Sequence, residues 1–96
     1  MARIKLDPQD IAAWQGTHGG WSIEGDTLCK RLSFPDYPST IAFVTRLAFA
    51  AEKHDHHPDL LVSWGKVEVR WTTHDAGGLT ALDLSLAEQT DQLAAR

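Results

Sequence analysis

The run Asp59-Leu60-Leu61-Val62-Ser63-Trp64-Gly65-Lys66-Val67-Glu68-Val69-Arg70-Trp71-Thr72 decides the fold. In its second half Val67, Val69 and Trp71 alternate with Glu68, Arg70 and Thr72, and a period of two sends the two sets to opposite faces of a strand. One face is then buried and the other wet, the pattern of an antiparallel sheet covered by helices on a single side. The first half, Asp59 to Trp64, reads as the partner strand, with Gly65-Lys66 as a two-residue turn. Trp64 falls on the apolar side with Val62, which gives it a core role.

Upstream, Pro58 stops any helix that reaches it. The segment Ile41 to His54 contains no breaker and reads as a long helix capped by Ser39 or Thr40. Ile41, Val44, Leu47, Ala48 and Ala51 form one apolar stripe, yet Phe43, Phe49 and Ala50 leave apolar groups on other sides. A helix that is apolar nearly all round is buried on more than one side. The sheet of so small a domain covers one side only, so the other is expected to pack against another subunit.

Further upstream, Trp21-Ser22-Ile23 and Thr27 to Phe34 flank the turn Glu24-Gly25-Asp26 and read as a hairpin ended by Pro35 and Pro38. Asp7-Pro8 supplies a cap and a first-turn proline for a short helix to about Gln15, closed by Gly16, Gly19 and Gly20. Downstream, Gly77-Gly78 breaks the chain, and Thr80-Ala81-Leu82-Asp83 has the form of a capping box. It opens a last helix with Leu82, Leu86 and Leu93 facing the core. The order α-β-β-α-β-β-α gives an α+β fold: a four-stranded antiparallel sheet with helices packed on one face, as a single domain over residues 1–96.

Composition narrows the function. With 43% hydrophobic and 23% charged residues the chain is neither disordered nor membranous. No apolar run has the length of a spanning helix, and the first residues lack the apolar core of a signal peptide, so a cytoplasmic location is expected. The formal charge is −4 and the nine basic residues are scattered, which disfavours direct nucleic-acid binding. The single cysteine, Cys29, cannot form an internal disulfide and reads as a small apolar residue in a strand.

Four of the five histidines lie between Glu52 and Asp83. Imidazole titrates near neutrality, so a pocket with several of them can hold a proton donor and a proton acceptor together. His56, His57 and His74 are the candidates. The loop after the long helix and the end of the fourth strand lie at the same end of the sheet, which is expected to bring these three around one crevice. His18 and His54 are read as solvent-facing. A metal site built from His56, His57, His74 and an acid is a competing reading, but adjacent side chains on an extended segment point apart and chelate one ion poorly.

The spacing Glu52-x3-His56-His57-Pro58-x5-Trp64-x9-His74-x8-Asp83 resembles the signature of the pterin-4a-carbinolamine dehydratases. The likeness extends to Gly20-Trp21, Phe43-Val44-Thr45-Arg46, Ala51-Glu52-Lys53, Lys66-Val67 and Thr73-His74. It implies the same α+β architecture, dimers made by joining sheets and, in some members, tetramers made by packing the long helices. It implies dehydration of a 4a-hydroxytetrahydropterin to a quinonoid dihydropterin, the step that recycles tetrahydrobiopterin, with no metal and no organic cofactor. On this reading His56 and His74 do the acid/base work and His57 binds and orients the pterin. Glu52, Asp55, Pro58, Thr72, Thr73, Asp75 and Asp83 are candidate substrate-binding residues, with capping as the structural alternative for Asp83. Leu60 stands where family members often carry an aromatic residue. The resemblance also implies an alternative, since some members serve as dimerisation cofactors for a homeodomain transcription factor without using the pocket.

Overall fold

Strand β4 (Lys66–Trp71) is the spine of the fold. The computed structural model describes residues 3–95, and in it β4 lies between β2 (Thr27–Ser33) and β3 (Asp59–Ser63), with β1 (Ser22–Glu24) on the outer side of β2. The order is β1-β2-β4-β3, and every pairing is antiparallel. Three α-helices complete the described residues: α1 (Pro8–Thr17), α2 (Tyr37–Lys53) and α3 (Ala81–Ala94). The expected α-β-β-α-β-β-α order is what the structure has.

Register explains the core. Val67 faces Leu32 and Val62, Val69 faces Leu60, and Trp71 faces Leu28, so the even period of each strand places these apolar residues on one face. Phe43, Leu47 and Ala51 of α2 and Leu86 and Ala87 of α3 complete this core. Buried Trp21 and Trp71 and half-buried Trp14 find partners on α3 for their indole N–H groups: Trp14 donates to Glu88, Trp21 to Asp91 and Trp71 to Thr90. Leu82 and Leu93 pack against the core half-buried, while Leu86 is fully buried. Cys29 is buried on the sheet face away from the helices, and burial pushes its thiol pKa up.

The structure departs from several of these local expectations. The β3–β4 turn is Trp64-Gly65, not Gly65-Lys66, because Ser63 pairs with Lys66 and Gly65 takes the left-handed φ of 72° that only the second turn position needs. Trp64 therefore sits at the hairpin tip, 68% exposed, and is no part of the core. Helix α2 begins at Tyr37, four residues before the expected start: Asp36 accepts from the Ser39 N–H at 2.8 Å as its cap, and Pro38 stands in the first turn, where a missing N–H costs nothing. Its core stripe is Thr40, Phe43, Leu47 and Ala51, so Phe43 is central and Ile41 lies at the surface. Thr40 can occupy that stripe because its hydroxyl donates to the Asp36 carbonyl at 2.7 Å. His18 and His54 are half-buried instead of solvent-facing: His18 stacks on Trp14 with ring centroids 4.4 Å apart, and the His54 Nε2 lies 3.3 Å from the Gln89 amide. Among the described residues no helix is long and apolar enough to cross a membrane.

Candidate active site

The site is built where α2 hands over to β3. At the end of α2 the Asp55 N–H donates to the Glu52 carbonyl and the His56 N–H to the Ala51 carbonyl, a pair of bonds that forms a Schellman motif with Asp55 at the left-handed position, φ 49°. This turn fixes the direction of the two histidines that follow. Neighbouring side chains on extended backbone point to opposite sides, so His56 enters the protein, 6% exposed, while His57 faces out.

His56 ends in a polar cluster under the sheet edge. Its ring stacks on Trp71 with centroids 5.7 Å apart, and its Nε2 lies 2.6 Å from Asp83 Oδ1. Asp83 is fully buried and serves two elements at once. Its other oxygen, Oδ2, accepts from the Thr80 N–H at 2.9 Å, the capping bond of α3, and from the Thr73 hydroxyl at 2.6 Å. The capping role and the link to the histidine are thus both present in one carboxylate. A buried charge needs this kind of full pairing. The cluster joins the α2–β3 loop, the end of β4 and the start of α3.

His57 makes a separate, exposed pair with Glu52, Nε2 to Oε1 at 2.8 Å. That pair borders an apolar hollow of about 560 Å³ together with Ala51, Pro58 and Leu60. His74 opens a 3-10 turn, His74–Ala76, after β4 and is exposed, one residue beyond buried Thr73. Thr73 Oγ1 lies 3.5 Å from His56 Nε2, so the end of β4 and the α2–β3 loop share one end of the sheet. The hollow beside His57 is lined by neither His56 nor His74. Of the other candidates, Thr72 donates its hydroxyl to the Asp26 carbonyl at 2.6 Å, Asp55 is exposed with its carbonyl turned to Arg3, and Asp75 is exposed. Sequence reasoning did not reach Arg3, whose guanidinium lies 3.4 Å from His56 Nδ1. Nothing in the sequence pairs residues 53 positions apart. Among the described residues no group of three or more His, Cys, Asp or Glu side chains is placed to hold a metal ion.

The family model described as pterin 4 alpha carbinolamine dehydratase matches residues 4–93. A protein of Roseiflexus sp. (strain RS-1) named "Putative pterin-4-alpha-carbinolamine dehydratase" is 44% identical, over 93% of this chain and 96% of its own. One of the same name from Thermosynechococcus vestitus is 46% identical, over 94% and 95%. The crystal structure of a transcriptional coactivator/pterin dehydratase from Brucella melitensis superposes with a TM-score of 0.89 at 27% identity, covering 94% of this chain and 98% of that one. A pterin dehydratase-like protein identified as a RuBisCO assembly factor in the alpha-carboxysome superposes at 0.69 with 26% identity, over 80% and 92%. The chain belongs to the pterin-4-alpha-carbinolamine dehydratase family.

Proposed function

We propose that this protein is a hydro-lyase that dehydrates 4a-hydroxytetrahydropterin to quinonoid dihydropterin, acting in the cytoplasm to recycle tetrahydrobiopterin. The observation that carries the reading is the family match over residues 4–93, with the three histidines of the motif intact and borne by two loops at one end of the sheet.

The chemistry suits imidazole. Hydroxide is a poor leaving group, so an imidazolium protonates the 4a-oxygen as the C–O bond breaks and the bonding electrons depart with the oxygen as water. A neutral imidazole takes the N5 proton while the N5=C4a double bond forms. This work is assigned to His57 and His74, the two exposed members of the trio. His57 moves into an acid/base role, because its ring is accessible and Glu52 lies within 2.8 Å to orient it. His56 is the inner member, held by Asp83 and set close to Thr73, and it fixes the loop from which His57 projects. Pro58 and Leu60 offer an apolar wall next to His57, and the backbone of Thr72 to Asp75 supplies polar groups for the pyrimidine ring.

A second reading is supported by the surface of α2, where Phe49 is 74% exposed beside Val44, Thr45 and Ala48. It makes the protein a binding module that associates through this helix without turnover. The test that separates them follows freshly generated 4a-hydroxytetrahydropterin by its ultraviolet absorbance. A faster loss with protein present supports the dehydratase, and an unchanged loss with intact self-association supports the binding module.

A further inference from the structure

The N-terminal strand-like segment reaches back over the site. Leu6 donates its N–H to the Leu79 carbonyl at 2.8 Å, Lys5 forms an isolated antiparallel bridge with Thr80, and Gly78 leaves the space that Lys5 fills, since a Cβ there would lie 2.9 Å from Lys5 Cε. This fastening carries Arg3 onto the α2–β3 loop. Its Nη2 donates to the Asp55 carbonyl at 3.2 Å, and its Nη1 lies 3.4 Å from His56 Nδ1.

A guanidinium has donors only and stays charged. The Nδ1 of His56 must then be the acceptor and carry no hydrogen. The other ring nitrogen faces Asp83, whose carboxylate already accepts from Thr73 and Thr80 and so stands as an acceptor toward His56. The bond made by one ring nitrogen sets the state of the other. We infer that Arg3 is a positioning residue that holds His56 as the neutral tautomer with its hydrogen on Nε2, directed at Asp83. The charged groups that meet the His56 ring are Asp83 from α3 and Arg3 from the N-terminal segment; β4 contributes the Trp71 ring, Thr73 a hydroxyl, and the loop itself carries His54, Asp55 and His57.

Where it concerns turnover the inference rests on the dehydratase reading; where it concerns the ring it does not. The experiment records long-range 1H–15N correlations of the histidine rings near pH 7 in the wild type, Arg3→Lys and Arg3→Ala, alongside the dehydration rate. The wild type is expected to show an unprotonated Nδ1 and a protonated Nε2 at His56. In Arg3→Ala the Nδ1 signal shifts toward the protonated form, Arg3→Lys lies between, and kcat/KM falls about threefold to tenfold, the scale of one hydrogen bond. A wild-type His56 with a protonated Nδ1, or a ring pattern identical in Arg3→Ala, overturns the inference. An inactive wild type with the expected ring pattern overturns the dehydratase reading and leaves the role of Arg3 supported.

Discussion

His56 and Asp83 are 27 positions apart and meet at 2.6 Å, with His56 nearly and Asp83 fully out of solvent. The contact ties the motif loop to the helix that follows the sheet. Removing one partner of such a buried hydrogen bond leaves the other unsatisfied, which costs about 1–3 kcal/mol out of the roughly 5–15 that holds a domain together. Asp83→Ala is therefore expected to lower the urea unfolding midpoint severely, since it also removes the α3 cap. Asp83→Asn keeps an oxygen for the Thr80 N–H and falls between. A loss for Asp83→Ala no larger than that of a surface substitution would mean that the pair is not formed.

Asp55 adopts the left-handed conformation at the Schellman turn, φ 49°, where a side chain with a Cβ is strained. Asp55→Gly removes that strain and is expected to raise stability by up to about 1 kcal/mol, whereas Asp55→Val lowers it by about 1–2 kcal/mol. Thermal unfolding of the two variants decides it. Equal midpoints would mean that the turn is not left-handed in solution.

Acid should act through the surface carboxylates. The Asp36 pKa is held below its ordinary value by the backbone N–H of Ser39, and that of Glu68 by its bond from Arg31 with further help from Arg70. A carboxyl depressed on folding adds stability above its unfolded value and loses it as pH falls through the folded one. Stability should thus be level at neutral pH and decline below the ordinary carboxylate range, near pH 4. In Asp36→Asn the acid decline is expected to be shallower, because the cap no longer depends on charge. An identical pH profile in the variant would remove Asp36 as a contributor.

Exposed Phe49 on α2 predicts association. Helices that pack between subunits bury such residues, so Phe49→Asp should reduce the sedimentation mass at a fixed protein concentration without loss of helical signal. An unchanged mass would mean that α2 is not a contact between copies.

Much of this was legible in the sequence where one pattern had one solution. The alternation of Val67, Val69 and Trp71 could only be a half-buried strand, and Pro58 set a limit that α2, which ends at Lys53, does not reach. The phase of α2 was not legible. Ile41, Phe43, Val44 and Phe49 are all apolar, and the position that settles which of them faces the sheet is Thr40, a polar residue whose hydroxyl is satisfied within its own helix turn. The tip of the second hairpin slipped by one residue because both Trp64-Gly65 and Gly65-Lys66 offer a glycine, and the choice lies in the cross-strand pairing of Ser63 with Lys66. For the site, the divergence of His56 and His57 followed from their adjacency. That Asp83 would lie buried against His56, and that Arg3 would close its other side, depends on contacts between distant segments that no local spacing encodes.

The most direct test follows the ultraviolet absorbance of 4a-hydroxytetrahydropterin generated immediately before mixing. With the wild type the decay should quicken in proportion to protein concentration, and His57→Ala and His74→Ala should each give back a factor of about ten or more. A decay that is the same with and without the wild-type protein would contradict the dehydratase assignment.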